Sequence, residues 1–123
     1  MLLVMRFNII HPITGNLFLV DFKYCKKKMS WHDAKKSCKA LGIGWRLPRK
    51  NHNKNFLLEL CEFEIIEELI LQKKYFEFTE CWFWCDSSVN NEKAWLFKIH
   101  SNVAWKISIK SNMHFVIAVK ELI

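Results

Sequence analysis

The side chains in this chain best suited to metal ligation or nucleophilic chemistry are five cysteines and five histidines. Cys81 and Cys85 are separated by three residues, and Cys61, His100 or His114 would have to complete a tetrahedral zinc site with them. Zinc sites usually carry two paired clusters, whereas only one pair stands here, inside an aromatic run. Free thiols are therefore the leading expectation, a disulfide the second and zinc the third. The odd cysteine count leaves at least one thiol unpaired unless it bridges two chains. No CxxC redox motif occurs, and the spacing offers no Cys–His catalytic pair. No catalytic residue, metal ligand or cofactor is expected.

Two other stretches could bind without reacting. Residues 23–54 carry eleven Lys or Arg against Asp33 alone, whereas residues 55–80 carry seven Glu against Lys73 and Lys74. The net charge of +7 is thus strongly polarised along the chain. Lys26, Lys27, Lys28, Lys35, Lys36, Lys39, Arg49 and Lys50 could hold a polyanion, either nucleic acid or an acidic glycan or protein. A solvated helix face is the plainer expectation. Nucleic acid is disfavoured, though still open, because the basic residues lack the interleaved aromatics of single-strand binders. The second stretch is WFWCDSSVNNEK, residues 82–93, where aromatics run into small polar residues of a loop. On an extended segment Trp82, Phe83 and Trp84 cannot all face inward, so at least one should be exposed or at an interface. An exposed Trp beside Asn and Ser suits a sugar ring or a protein hot spot.

The elements that position these stretches follow from periodicity. A chain of 123 residues has the size of one domain, with material for one core. LFLVDF, residues 17–22, is apolar and bounded by HPITGN, which predicts a strand. Ser30 and Asp33 form an S-x-x-D capping box, and Trp31, Ala34, Cys38 and Leu41 recur at helical spacing, predicting a helix over about 31–41. Gly42 stands where a left-handed C′ residue would end it. Pro48 forces Leu47 into extended backbone, and a second helix is predicted to start near Asn51 or Asn53, with Phe56, Leu57, Leu60 and Cys61 on its apolar face. Alternation then takes over. Trp95, Phe97 and Ile99 share one strand face, as do Val103, Trp105, Ile107 and Ile109, and pairing of Phe97 with Ile107 and Trp95 with Ile109 is expected. Phe115, Ile117 and Val119 supply a third strand of a terminal meander. MLLVMRFNIIHPITG has Arg6 in mid-run and no cleavage site, so no signal peptide is read, and no apolar run reaches the ~18–20 residues of a membrane span. Reduced thiols in a cytoplasm fit, with a place in a phage or exported assembly still open.

The order of these features, with W-x-x-A-x-x-x-C followed by GxGWRLP, resembles the C-type-lectin-like domains of bacterial surface and phage proteins. It is most similar to the family that includes the Lcl adhesin C-terminal domain. The matching residues are Met29, Trp31, Ala34, Cys38, Leu41, Gly42, Gly44 and Trp45 to Pro48, then Trp84, Ser87 and Ser88 loosely, then Ala94, Trp95, Phe97, Val116 and Val119. Within GWRLP the structural role outweighs ligand contact: Trp45 and Leu47 should fill the core and Arg46 should meet a buried carboxylate or carbonyl. The family's VRxVR strand is reduced here to Val116-Ile117-Ala118-Val119-Lys120. Cys38 lacks the C-terminal cysteine that many such domains bridge to. EPN, QPD and WND triplets are missing, which disfavours calcium-dependent sugar binding. The resemblance implies an α+β C-type-lectin-like fold, with two helices packed on a twisted antiparallel sheet and a C-terminal three-stranded meander, as one domain over residues 1–123. It also implies a non-enzymatic module that binds a protein or glycan through the 84–93 loop and the following strands. Trp84, Ser87, Ser88, Asn90, Asn91, Trp95, Trp105 and Lys106 are its candidate ligand residues. Assembly into a homo-oligomer stays open. An enzyme comes last, since the related formylglycine-generating-enzyme fold is considerably larger and no acid, base and nucleophile set stands out.

Overall fold

The computed structural model describes residues 6–10, 17–24, 27–49, 82–99 and 103–122. The predicted second helix, with Cys25, Cys61, Cys81, His100, Lys26 and Lys50, lies outside the described residues. Helix α1 spans Trp31–Ala40, one residue short of the expectation, and begins at the expected cap: the Ser30 hydroxyl accepts the Asp33 N–H at 3.3 Å. It buries Trp31, Ala34 and Cys38, the predicted stripe, because spacings of three and four return to one face. The Leu41 and Gly42 N–H groups close its end on the Cys38 and Lys39 carbonyls at 3.0 and 3.1 Å. Gly42 then turns the chain with φ +136°.

Among the described residues, six strands form two antiparallel sheets. In the first, β1 (Arg6–Ile10) and β6 (Ala118–Leu122) flank β2 (Leu17–Asp21), which occupies the predicted early strand. The second is a meander of β3 (Phe83–Ser88), β4 (Lys93–Ile99) and β5 (Val103–Ile109). The meander therefore differs from the expected one: the final strand leaves it and pairs with β2, with Val20 opposite Val119. The register also differs. Trp95 pairs with Ile107 and Phe97 with Trp105, two residues from the expected partners but on the same faces. Alternation sets the face of each side chain and leaves shifts by two open.

Between the sheets, residues 116–119 are buried without a break, so both faces of this run are covered. Its neighbours explain this. Arg46 and Val119 exchange both backbone hydrogen bonds, at 2.9 and 2.8 Å, which ties the GWRLP segment to β6. Trp45 and Leu47 enter the core as expected, and Arg46 Nη1 donates to the Leu47 carbonyl at 3.1 Å. One cluster gathers Trp31, Ala34, Cys38, Trp84, Leu96 and Val116, and its two indoles are satisfied: Trp31 donates to the Cys85 carbonyl and Trp84 to the Met29 carbonyl, both at 2.8 Å. Across β3, Phe83 stacks on Phe97 at 5.4 Å and meets Phe115 at 6.1 Å. Strand β3 thus has apolar material on both faces, and consecutive Phe83 and Trp84 are both sealed.

Candidate functional site

Strand β3 runs into the Ser88–Lys93 connection, and local hydrogen bonds hold this loop firmly. Ser88 Oγ donates to the Asn90 carbonyl at 2.7 Å, while Asn90 Oδ1 accepts the N–H groups of Glu92 and Lys93, both at 2.8 Å. An Asn side chain that accepts from the backbone two and three residues on replaces the bonds of a regular turn. The Val89 N–H donates to the Lys93 carbonyl at 2.8 Å, and the Lys110 N–H to the Glu92 carbonyl at 2.8 Å, so the loop is anchored to the end of β5. Asn90 therefore shapes the loop, a role its composition did not reveal.

Between this loop and β5 lies an open depression of about 520 Å³. Val89, Asn90 and Lys93 form one wall; Ile107, Ser108 and Ile109 of β5, with Asn112, form the other. Five large hydrophobic residues are exposed among the described residues, and three of them, Val89, Ile107 and Ile109, meet here at 42%, 43% and 50% exposure. A fourth, Met113, stands beside Asn112 in the turn after β5. Ile107 and Ile109 were expected on the buried face of the meander. On that face Phe97 is buried beside its neighbour Phe83, while Ile107 and Ile109 are exposed.

Below the depression Ser108 Oγ lies 2.9 Å from His114 Nε2 and accepts from Asn112 Nδ2 at 3.0 Å. A hydroxyl beside an imidazole is the geometry of a nucleophile and its base, so its electrostatics matter. Burial, then the Lys106 and Lys28 ammoniums, lower the His114 pKa below its usual 6.5. A base must accept a proton and be stabilised afterwards, whereas these lysines oppose the imidazolium. In this structure the pair satisfies a largely buried hydroxyl and holds the turn against the Trp84 ring, 4.9 Å from the imidazole.

The predicted ligand residues divide. Trp84 is 0% exposed and belongs to the core, which corrects its placement on the ligand surface. The half-exposed member of the aromatic triplet is Trp82, with the Lys98 and Lys106 ammoniums 5.4 and 4.6 Å from its ring. Ser88, Asn90, Asn91 and Lys106 are exposed; Ser87, Trp95 and Trp105 are half-buried. The basic set divides as well. Lys35 is half-buried, 4.4 Å above the Trp31 ring and 3.8 Å from Asp86, so it braces the helix. Lys28 sits 5.3 Å over the Phe115 ring, while Lys27, Lys36, Lys39 and Arg49 face solvent. Cys38 and Cys85 are both buried. Burial, with Asp86 and Asp21 adding to it, pushes the Cys38 thiol up to about 12, which makes it unreactive as a nucleophile or metal ligand. No group of three His, Cys, Asp or Glu suited to a metal occurs among the described residues. No helix among them is long and apolar enough to cross a membrane.

No protein-family model matches the chain, and no curated protein matches it significantly in sequence. Solved structures do match. EMS16, described as an antagonist of the collagen receptor integrin α2β1, superposes with a TM-score of 0.55 at 10% identity, over 84% of this chain and 90% of its own. Botrocetin superposes with a TM-score of 0.57 at 14% identity, over 87% of this chain and 91% of its own. Both are C-type-lectin-like, and that is the fold of this chain.

Proposed function

We propose that the chain is a single-domain, non-enzymatic binding module that recognises a protein through the surface formed by the Ser88–Lys93 loop, β5 and the following turn. One observation carries this: Val89, Ile107 and Ile109 are exposed and converge on one depression. Apolar side chains at the centre of a polar rim, here Ser88, Asn91, Glu92 and Lys93, match the anatomy of a protein interface. The chemistry favours a protein over a glycan. Sugar rings stack on open aromatic faces, whereas the exposed apolar groups here, Val89, Ile107 and Ile109, are aliphatic, and the tryptophans on the same face, Trp95 and Trp105, are half-buried. The loop is preorganised by its own hydrogen bonds, which reduces the ordering cost of binding. The integrin antagonism in the description of EMS16 is compatible with protein recognition on this fold. The Met29–Pro48 motif supports kinship with the Lcl-like family of bacterial surface and phage domains, and the lack of calcium triplets supports calcium-independent binding.

The test is affinity capture from the source cell with the parent chain and an Ile107→Asp, Ile109→Asp double variant, with retained proteins identified by mass spectrometry. The expected outcome is a partner retained by the parent and lost with the double variant, while a Lys39→Gln control still retains it. A partner held equally by parent and double variant, or an oligosaccharide bound in its place, would overturn the assignment.

A further inference from the structure

The fifth exposed hydrophobic residue stands apart from the other four. Ile43 is 93% exposed, and the groove it borders shares no lining residue with the depression beside β5. Its position is built into the backbone. Gly42 and Gly44 flank it with φ of +136° and +88°, values that side-chain-bearing residues rarely adopt, so the turn projects Ile43 between two residues with no side chain. The base of the turn is fixed on one side by the Gly42 N–H on the Lys39 carbonyl and on the other by the paired Arg46 and Val119 backbones. The Lys120 stem lies across Gly44, where an added Cβ would stand 3.4 Å from Lys120 Cε.

Cations surround this projecting side chain. Lys39, Arg46 and Arg49 line an open groove of about 630 Å³ with Ile43, and Lys120 crosses its edge. Lys36, one turn before Lys39 on α1, is also exposed. Asp86 offsets part of this charge, its Oδ2 lying 3.9 Å from Arg49 Nε at the edge of the groove. Ile43 leaves nearly its whole apolar side chain in water, where burial against an apolar layer would be favourable, and the clustered cations around it attract an anionic surface. A single occupant accounts for both. We propose that the Gly42–Arg49 segment is a docking surface for an anionic phospholipid membrane, with Ile43 entering the interfacial layer and Lys39, Arg46, Arg49 and Lys120 meeting the head groups.

Other anionic partners fit less well. A single-stranded nucleic acid needs open aromatic platforms, whereas Trp45, the aromatic lining this groove, is buried. A soluble polyanion would use the cations and leave Ile43 in water. Membrane docking takes the apolar tip and its basic surround together, and the chain's net charge of +7 adds long-range attraction. The proposal does not depend on the protein-binding surface.

Vesicle flotation tests it, with vesicles of phosphatidylcholine alone and of phosphatidylcholine mixed with phosphatidylserine. The parent should bind the mixed vesicles, bind the neutral ones far more weakly, and lose affinity as salt is raised. Lys39→Gln and Arg49→Gln should each weaken binding roughly fivefold. Ile43→Asp should weaken it by roughly tenfold, with an unchanged melting curve because the side chain makes no core contact; Ile43→Ser is the milder second variant. Absence of binding to mixed vesicles, equal binding to both kinds, or Ile43 variants that bind like the parent would overturn the proposal. Binding to heparin that is unaffected by Ile43→Asp, without vesicle binding, would assign the groove to soluble polyanions and overturn it too.

Discussion

Replacing Trp84 with Phe separates a role in the fold from a role in ligand contact. The side chain is fully buried, its N–H donates to the Met29 carbonyl at 2.8 Å, and its ring meets His114 edge-on at 4.9 Å. Met29 O also accepts the His114 backbone N–H at 3.0 Å, so Phe would leave that carbonyl with one partner instead of two. Losing the indole hydrogen bond should then cost about 1 kcal/mol. The smaller ring leaves a gap in a closed core, costing roughly another 1 to 2 kcal/mol. The sum, about 2 to 3 kcal/mol, corresponds to a melting point lower by roughly 6 to 12 °C for a chain of this size. Trp84→Ala should cost about 4 to 5 kcal/mol, a large share of the total stability of an ordinary domain. Urea unfolding followed by far-ultraviolet circular dichroism measures both, with an unchanged slope expected for Phe. Once folded, Trp84→Phe should bind the captured partner like the parent. A variant that melts with the parent but loses the partner would refute the buried placement of Trp84 and restore it to the ligand surface.

Three further outcomes are expected. His114 has a lowered pKa in the fold, so as pH falls below about 6.5 the unfolded chain takes up the proton first. Stability should therefore be full above that pH and decline through the interval down to the folded pKa, and His114→Gln should remove this slope in urea titrations at successive pH values. Cys38 and Cys85 should resist alkylation in the native protein and react fully in denaturant, as peptide mapping of labelled protein would show. Native-state labelling of either would contradict their burial. Gly44→Ala should cost roughly 1 to 2 kcal/mol because φ is +88° and the new methyl meets the Lys120 stem, whereas Lys120→Ala should relieve the second effect but not the first.

What the sequence made legible follows from the range of each interaction. Helix α1, its Ser30 cap and its Trp31, Ala34 and Cys38 stripe depend on residues three and four apart, and all were readable. The same holds for the faces of β4 and β5, while their register needed the pairing itself. Segment 115–119 alternates like a strand of the meander. Its placement was decided by Arg46 and by β2, distant in sequence, which cover it on both sides and draw its end into the other sheet. Strand β1 carries a weak signal, because Arg6 and Asn8 interrupt the apolar run of MLLVMRFNII. At the binding surface, the polar loop was visible as composition. The exposure of Ile107 and Ile109 was not, because hydrophobic alternation shows which residues share a face and not how far along that face the covering layer extends. Trp84 was misplaced for a related reason: one face of an exposed strand meets water, but β3 has packing on both.

The β6 pairing with β2 has a consequence for how the chain is made. Leu17 and Leu122 are partners, so the first sheet joins strands from opposite ends of the described chain. Such distant pairing slows folding, because a long loop must close before any contact offsets its entropy. On the ribosome, β1 and β2 emerge early as a hairpin, and two-stranded hairpins are at best marginally stable on their own. Their third strand, β6, is synthesised only after α1 and β3 to β5. The β3–β4–β5 meander and α1 therefore have time to assemble first, and the first sheet closes after them.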